Sequence, residues 1–363
     1  MNNMQKKLVA IFITALAALS AKAGDVVRVI ELQETGTLSQ ALGDEQGSLD
    51  SIVISGQMNT NDWQALRQCC MSGRVRGLDL SGVKAENDSM PAIALGHMTF
   101  HSVLKNVRLP HTLRVIGPRA FKWCTSLEYV ELPETLVGIG WEAFYTCTSL
   151  KHVDFPLSLE SIGNSAFGDC GLESVELPAN IRRLGSETFA GCRELKEAVI
   201  PSGIESLGWG TFRGCWTLER IALPDDIDMM PDRMFEDCES LSSCEWPLTL
   251  ETIGEGAFEG CSFESIILPD NIREIAKDAF RYNEKLVSIV LPANLEIFDQ
   301  TALLGTDKRL SSVYCKATVP PITIGNPYFH DEIVKYARHA LFTCLPAATM
   351  HTTLPSTGMS SRR

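Results

Sequence analysis

An apolar residue followed by proline recurs along this 363-residue chain at Pro110, Pro133, Pro156, Pro178, Pro201, Pro224, Pro247, Pro269 and Pro292. The steps are 23 residues, twice shortened to 22. Between the prolines runs one template: Leu-Pro, x-x-Leu, x-x-Ile-Gly, x-x-Ala-Phe, x-x-Cys, x-x-Leu, x-x-Val-x-Leu-Pro. Its Phe recurs as Phe121, Phe144, Phe167, Phe189, Phe212, Phe235, Phe258 and Phe280. Its Cys recurs as Cys124, Cys147, Cys170, Cys192, Cys215, Cys238 and Cys261, with Asn283 next in line. A unit this short cannot bury its own apolar residues, so equivalent residues of stacked coils must supply one continuous core. The segment Leu127-x-x-Val130-x-Leu132 reads as a short strand with Val130 and Leu132 inward, stopped by Pro133. Gly138, Gly140, Gly163, Gly185, Gly208 and Gly254 are expected to supply bends, and the Phe series a buried spine.

Weaker coils extend the array to about twelve. Leu49-x-x-Ile52-x-Ile54, Val75-x-x-Leu78-x-Leu80 and Leu104-x-x-Val107-x-Leu109 match the strand upstream, with an insertion around Lys84–Pro91. Leu310-x-x-Val313-x-Cys315 closes the array downstream. Residues 24–74 read as an N-terminal cap: a strand at Val26–Leu32, a first strand-like coil, and an amphipathic helix near Asp62–Met71 with Trp63, Leu66 and Cys70 on one face. The solenoid proper is then 75–325, and 326–363 is an irregular tail.

The template resembles the treponemal, BspA-type class of bacterial leucine-rich repeats over about 49–325. Gly56–Asp62 and Gly77–Gly82 are also similar to the N-terminal region of such proteins. The resemblance implies a repeat solenoid: a right-handed leucine-rich-repeat superhelix with a concave parallel β-sheet, and short turns with 3-10 or β segments on the convex side. It further implies an exported or surface-displayed protein of a host-associated bacterium, a class in which several members adhere to host matrix proteins.

Before the repeats, Lys6 and Lys7 precede an apolar run, Leu8 to Leu19, and the small-x-small string Ala21-Lys22-Ala23. This is the pattern of a secretory signal peptide spanning 1–23; the run is well short of the ~20 residues that cross a bilayer. Its removal takes three lysines and no acid, so the formal charge of −13 becomes −16. Such an acidic chain is ill suited to nucleic acid or anionic lipid. Export, to the medium, cell surface or periplasm, would favour disulfides, yet the periodicity assigns most of the twelve Cys to the core. Seven hold one slot per coil, and Cys244 and Cys315 replace inward strand residues, so buried free thiols are expected. Cys69 and Cys70 fit the cap helix; Cys344 has no slot. No Cys-x-x-Cys, His-Glu-x-x-His, nucleophile elbow or phosphate loop occurs, so neither metal, cofactor nor catalysis is expected.

The tail after Val319-Pro320-Pro321 has no periodicity, and no acid follows Glu332. Codons for Ala340–His351, read from the third base, can spell a strand ending in Val-Pro that resembles the closing segment of this repeat class. A frameshift near 335–340 that replaced the native C-terminal cap would explain this, and the gene sequence tests it.

Side chains alternate along a strand, so the residue between the two inward positions points out of the sheet. That lane runs Arg108, Glu131, Asp154, Glu176, Val199, Ala222, Glu245, Ile267, Val290 and Tyr314. Beside it run Asn106, Tyr129, His152, Ser174, Glu197, Arg220, Ser243, Ser265, Ser288 and Ser312. One reading is a bipartite concave binding face: Tyr129, Glu131, His152, Asp154 and Glu176 for a basic segment, and Val199, Ile267, Val290 and Tyr314 for an apolar one. The other is that β-branched residues suit strands and acids keep a secreted protein soluble. Trp141 and Trp209 share a slot after Ile-Gly, either as an exposed aromatic patch or packed half-buried on a neighbouring coil. The expected function is a module that binds a protein or glycoprotein, such as host extracellular matrix. Alternatives are an envelope scaffold without a soluble ligand and a carbohydrate-binding protein.

Overall fold

The computed structural model describes residues 25–71, 74–96, 103–306 and 309–324. The expected signal peptide, the irregular tail in which a frameshift is expected, and Cys344 lie outside them. The chain divides into two compact units, Met1–Pro224 with Arg233–Glu245, and Asp225–Asp232 with Trp246–Arg363. Both are parallel β-solenoids.

In the first unit, strands Val27–Leu32, Ser51–Met58, Gly77–Ala85, Asn106–Arg108 and Tyr129–Glu131 pair in parallel, in chain order. Strands Ser174–Glu176, Glu197–Val199 and Arg220–Ala222 form a second such sheet. The strand of the cap is therefore the first rung of the ladder. The cap helix, Thr60–Met71, buries Trp63, Leu66, Cys69 and Cys70. Asp62, also buried, accepts from the backbone N–H groups of Gly36 (2.7 Å), Leu38 (3.0 Å) and Asn59 (3.0 Å), which ties the cap together. A line of two-residue strands, Ser89–Met90 through Ser206–Leu207, forms another parallel ladder. The second unit repeats the plan with Ser265–Ile267, Ser288–Leu291 and Ser312–Cys315, and a ladder from Met229–Met230 to Ile322–Ile324.

The Phe series is fully buried, as its period requires. In the first unit the rings stack from Phe121 to Phe235 with centroids 4.9–5.9 Å apart; in the second, Phe258 stacks on Phe280 at 5.6 Å. Within each unit the Phe N–H groups also donate to the next coil, as from Phe144 to Ala166 O at 2.7 Å and from Phe258 to Ala279 O at 2.8 Å.

The cysteines lock the same point from the other side. The Cys147, Cys170, Cys192, Cys215 and Cys238 thiols lie 3.1–3.3 Å from the carbonyls of Phe121, Phe144, Phe167, Phe189 and Phe212, one coil earlier. Asn283 does the same with its amide, donating to Phe258 O at 2.7 Å. The eleven described cysteines are free. Burial pushes the Cys147, Cys192 and Cys215 thiols well above the ordinary range.

Two expectations need correction. Gly163 and its equivalents are not bends, since none of them has a left-handed φ. They allow close stacking: a Cβ on Gly163 would lie 2.6 Å from the Trp141 backbone nitrogen. Second, the long-strand ladder is interrupted. Residues 151–155 and 242–246 form no strand, so Cys244 is half-buried outside any sheet, although burial still pushes its thiol to about 12. Both coils carry an aromatic where the template has Leu at the second inward position. Phe155 meets Phe167 edge-on at 5.5 Å, and Trp246 meets Phe258 at 5.3 Å. The N–H groups of 152–155 and 243–246 find no acceptor among the described residues.

Phe167→Ala should cost about 3–5 kcal/mol in urea unfolding, as a fully buried aromatic does. Because the thiolate is the reactive form, the ladder cysteines should resist iodoacetamide at pH 8 in the native protein and react once it is denatured; rapid native labelling of Cys147 or Cys192 would contradict the ladder.

Candidate functional site

Strand register sets the outward lanes. In the first unit Asp79, Arg108 and Glu131 lie side by side, as do Glu176, Val199 and Ala222; beside them run Asn106 with Tyr129, and Ser174 with Glu197 and Arg220. In the second unit Ile267, Val290 and Tyr314 are in register, next to Ser265, Ser288 and Ser312. Each of these lane residues except Asp79 reaches the surface at least partly, and Ile267 is 63% exposed.

The acidic half is less open than its composition suggests. Arg108 Nε lies 2.9 Å from Glu131, and its Nη1 is 3.7 Å from Asp79, whose carboxylate is buried. Asp79 further accepts from the Ser81 hydroxyl at 2.6 Å. Arg108 is therefore shared between the exposed end of Glu131, its closer partner, and the buried Asp79. The lane as read from the sequence began one coil too late to include Asp79; continuing the same alternation to Gly77-Leu78-Asp79 finds it. His152 and Asp154 sit on the strandless coil rather than in the sheet, paired with each other at 2.8 Å and fully at the surface. Glu176 is exposed. Burial first, then Glu131 and Asp154, push the Tyr129 phenol above its ordinary value. Glu197 pairs with Arg220 at 2.6 Å.

Trp141 and Trp209 are 43% and 44% exposed, and the Arg119 guanidinium lies over the Trp141 ring at 4.0 Å. The sequence reading missed a third such residue, Trp216, over which Arg193 lies at 4.2 Å. It also missed a shallow polar depression where Gly168, Gly191 and Gly214 leave room between Tyr145, Glu187 and Arg213. There burial and a hydrogen bond to Asp169 push the Tyr145 phenol to about 12. Among the described residues no group of three His, Cys, Asp or Glu is placed to hold a metal, and no helix is long and apolar enough to cross a membrane.

The BspA type leucine rich repeat region model matches residues 114–241 and 210–333, in six copies. This chain belongs to the BspA-type leucine-rich-repeat family. A leucine-rich repeat protein from Bacteroides ovatus is similar in structure, with 27% identity, 67% of each chain covered and a TM-score of 0.58. The Treponema pallidum leucine-rich repeat protein is 30% identical over 48% of this chain and 69% of its own, with a TM-score of 0.38. A leucine-rich cell surface protein from Faecalibacterium prausnitzii is 18% identical over 81% of this chain and 88% of its own, with a TM-score of 0.41. No curated protein matches. Proteins of this repeat class serve as interaction or surface modules.

The two ends of the Arg108 pairs should behave differently. Arg108→Ala strands the buried Asp79 and should cost about 1–3 kcal/mol in urea unfolding, whereas Glu131→Ala, at a half-exposed pair, should cost less than about 1 kcal/mol.

Proposed function

We propose that this BspA-type protein is exported and binds a protein or glycoprotein, such as a component of host extracellular matrix, on the outward face of its long strands. The observation that carries this is the register within each sheet: Arg108 with Glu131 and Glu176 with Val199 in the first unit, and Ile267, Val290 and Tyr314 in the second, are each held side by side by parallel pairing rather than scattered. Pairing fixes each side chain before a partner arrives, so little ordering entropy is lost on binding. Tyr129, His152 and Asp154 adjoin the acidic end, which suits a basic partner; Val199, Ile267, Val290 and Tyr314 suit an apolar one. The N-terminal basic–apolar–small pattern supports export, and the fold supports a binding module rather than a catalyst.

The test uses the mature chain from Gly24 against fibronectin, fibrinogen and related glycoproteins at low and high salt. Binding should weaken with salt, and Glu131→Ala, Asp154→Ala and Glu176→Ala together should weaken it about tenfold or more. Unchanged affinity in that triple variant would remove the acidic lane from the site. Quenching of tryptophan fluorescence by glycans, with no protein bound, would favour the half-exposed Trp141 and Trp209 instead.

A further inference from the structure

The back turns of the first unit carry a depression of about 260 Å³, walled by Tyr145, Ser165, Asp169, Glu187, Arg213 and Asp237, all of that unit. Two neighbouring slots of the template shape it. The residue after the spine Phe is Lys122, Tyr145, Arg213 or Glu236 in the flanking coils, but Gly168 and Ala190 between Tyr145 and Arg213. Coils there are 5.0–5.7 Å apart along the spine, so the slot stays low over two coils between a phenol and a guanidinium. The next slot holds Trp123, Thr146, Asp169 and Asp237, ordinary side chains on left-handed backbone, but Gly191 and Gly214 between the two acids. The backbone accepts a side chain at that slot, so what glycine adds there is room.

The polar groups around this space are fixed in advance. The Tyr145 ring leans over Gly168, where a Cβ would lie 2.9 Å from its Cδ2, and its hydroxyl donates to Asp169. The Asp169 carboxylate lies against Gly191, where a Cβ would stand 2.2 Å from Oδ1. Arg213 Nη1 donates to Glu187 at 3.3 Å, and its Nε lies 3.3 Å from Glu236. A guanidinium has five N–H donors, more than these two acids use. The depression thus offers carboxylate acceptors, guanidinium donors and an aromatic ring within one small volume. A simple anion would meet three carboxylates, and a simple cation would meet Arg213. A neutral ring bearing several hydroxyls, each able to donate and to accept, satisfies both signs, and its C–H face suits the Tyr145 ring.

We propose that this depression is a carbohydrate subsite that takes one neutral pyranose ring. Sugar hydroxyls donate to Asp169 and Asp237 and accept from Arg213, and the C–H face of the ring lies on Tyr145. The ring is that of a free monosaccharide or the end of a longer glycan, which present the same chemistry. The subsite shares no residue with the outward lanes of the long strands, so it goes beyond the reading of those lanes as a protein-binding face and does not rest on it.

The probes are the methyl glycosides of glucose, galactose, mannose and N-acetylglucosamine, followed by oligosaccharides ending in whichever binds. Saturation-transfer NMR and calorimetry on the mature chain from Gly24 should find one site for at least one glycoside. Asp169→Ala should weaken it about tenfold or more, as loss of a hydrogen bond to a charged group does. Gly214→Asn should abolish it: the new side chain fills the floor, and left-handed backbone suits asparagine, so the variant should keep its thermal unfolding midpoint. Trp141→Ala with Trp209→Ala should leave sugar binding unchanged. A tighter oligosaccharide makes a glycan end the ligand, and equal affinity makes it the free sugar; both support the subsite. Silence of all four glycosides, tighter binding of inorganic phosphate or lysine amide, or binding that survives in folded Gly214→Asn each overturns it. Loss of sugar binding in the double tryptophan variant alone would do the same. Matrix glycoprotein binding that persists in Gly214→Asn while sugar binding disappears supports the subsite and leaves the strand-face reading standing. Sugar binding with a silent glycoprotein panel supports the subsite and removes that reading.

Discussion

The junction on which each coil depends is the backbone of the spine phenylalanine. Its N–H reaches forward to the next coil, its carbonyl accepts a thiol or amide from that coil, and its ring stacks on the next ring. Burying a peptide group costs free energy unless both its donor and its acceptor are satisfied. Here the acceptor is satisfied partly within the coil, as by the Cys147 N–H to Phe144 O at 3.0 Å, while the donor finds its partner on the neighbouring coil, as from Phe144 to Ala166 O. A single coil would leave that N–H orphaned, which is why the unit of stability is the stack. It also accounts for the cysteine: small enough for the slot, apolar enough for the core, and still a weak donor. Asn283 shows that the donor matters more than the sulfur.

What was legible in the sequence follows from this. Period, strand positions, spine and thiol ladder all express one inter-coil contact repeated, so spacing alone reveals them. The role of Gly163 was not legible, because spacing distinguishes a glycine from other residues without saying whether the backbone needs a positive φ or a close approach. Nor were the left-handed residues of the back turn, two per coil and four apart, such as Glu142 with Thr146 and Ser165 with Asp169. These are ordinary L-residues whose strain is offset by alternate N–H groups that all point at the next coil. The interruptions at 151–155 and 242–246 escaped because Phe and Trp satisfy the same apolar pattern as Leu.

On the strand face, alternation placed the lanes but not their electrostatics. Arg108 reads as a free cation at the head of an acidic lane until Asp79, one coil earlier, is seen beneath it. Glu131 shares that cation, whereas Glu176 is simply exposed, so acids of one lane are not equivalent. Trp141 stands at the surface under a guanidinium, between the two alternatives its spacing allowed.

The ladder of two-residue strands runs on through Ser161–Ile162, beside the coil whose long strand is missing. That coil is thus fastened along one side and loose along the other. Within its unit it is a built-in flexure line: the long-strand side is held only by bonds at its start, such as Glu173 N–H to Lys151 O at 3.1 Å, while the short-strand side keeps its paired ladder. Mechanical compliance in such a stack is then written into the sequence as the choice between leucine and an aromatic at a single inward position.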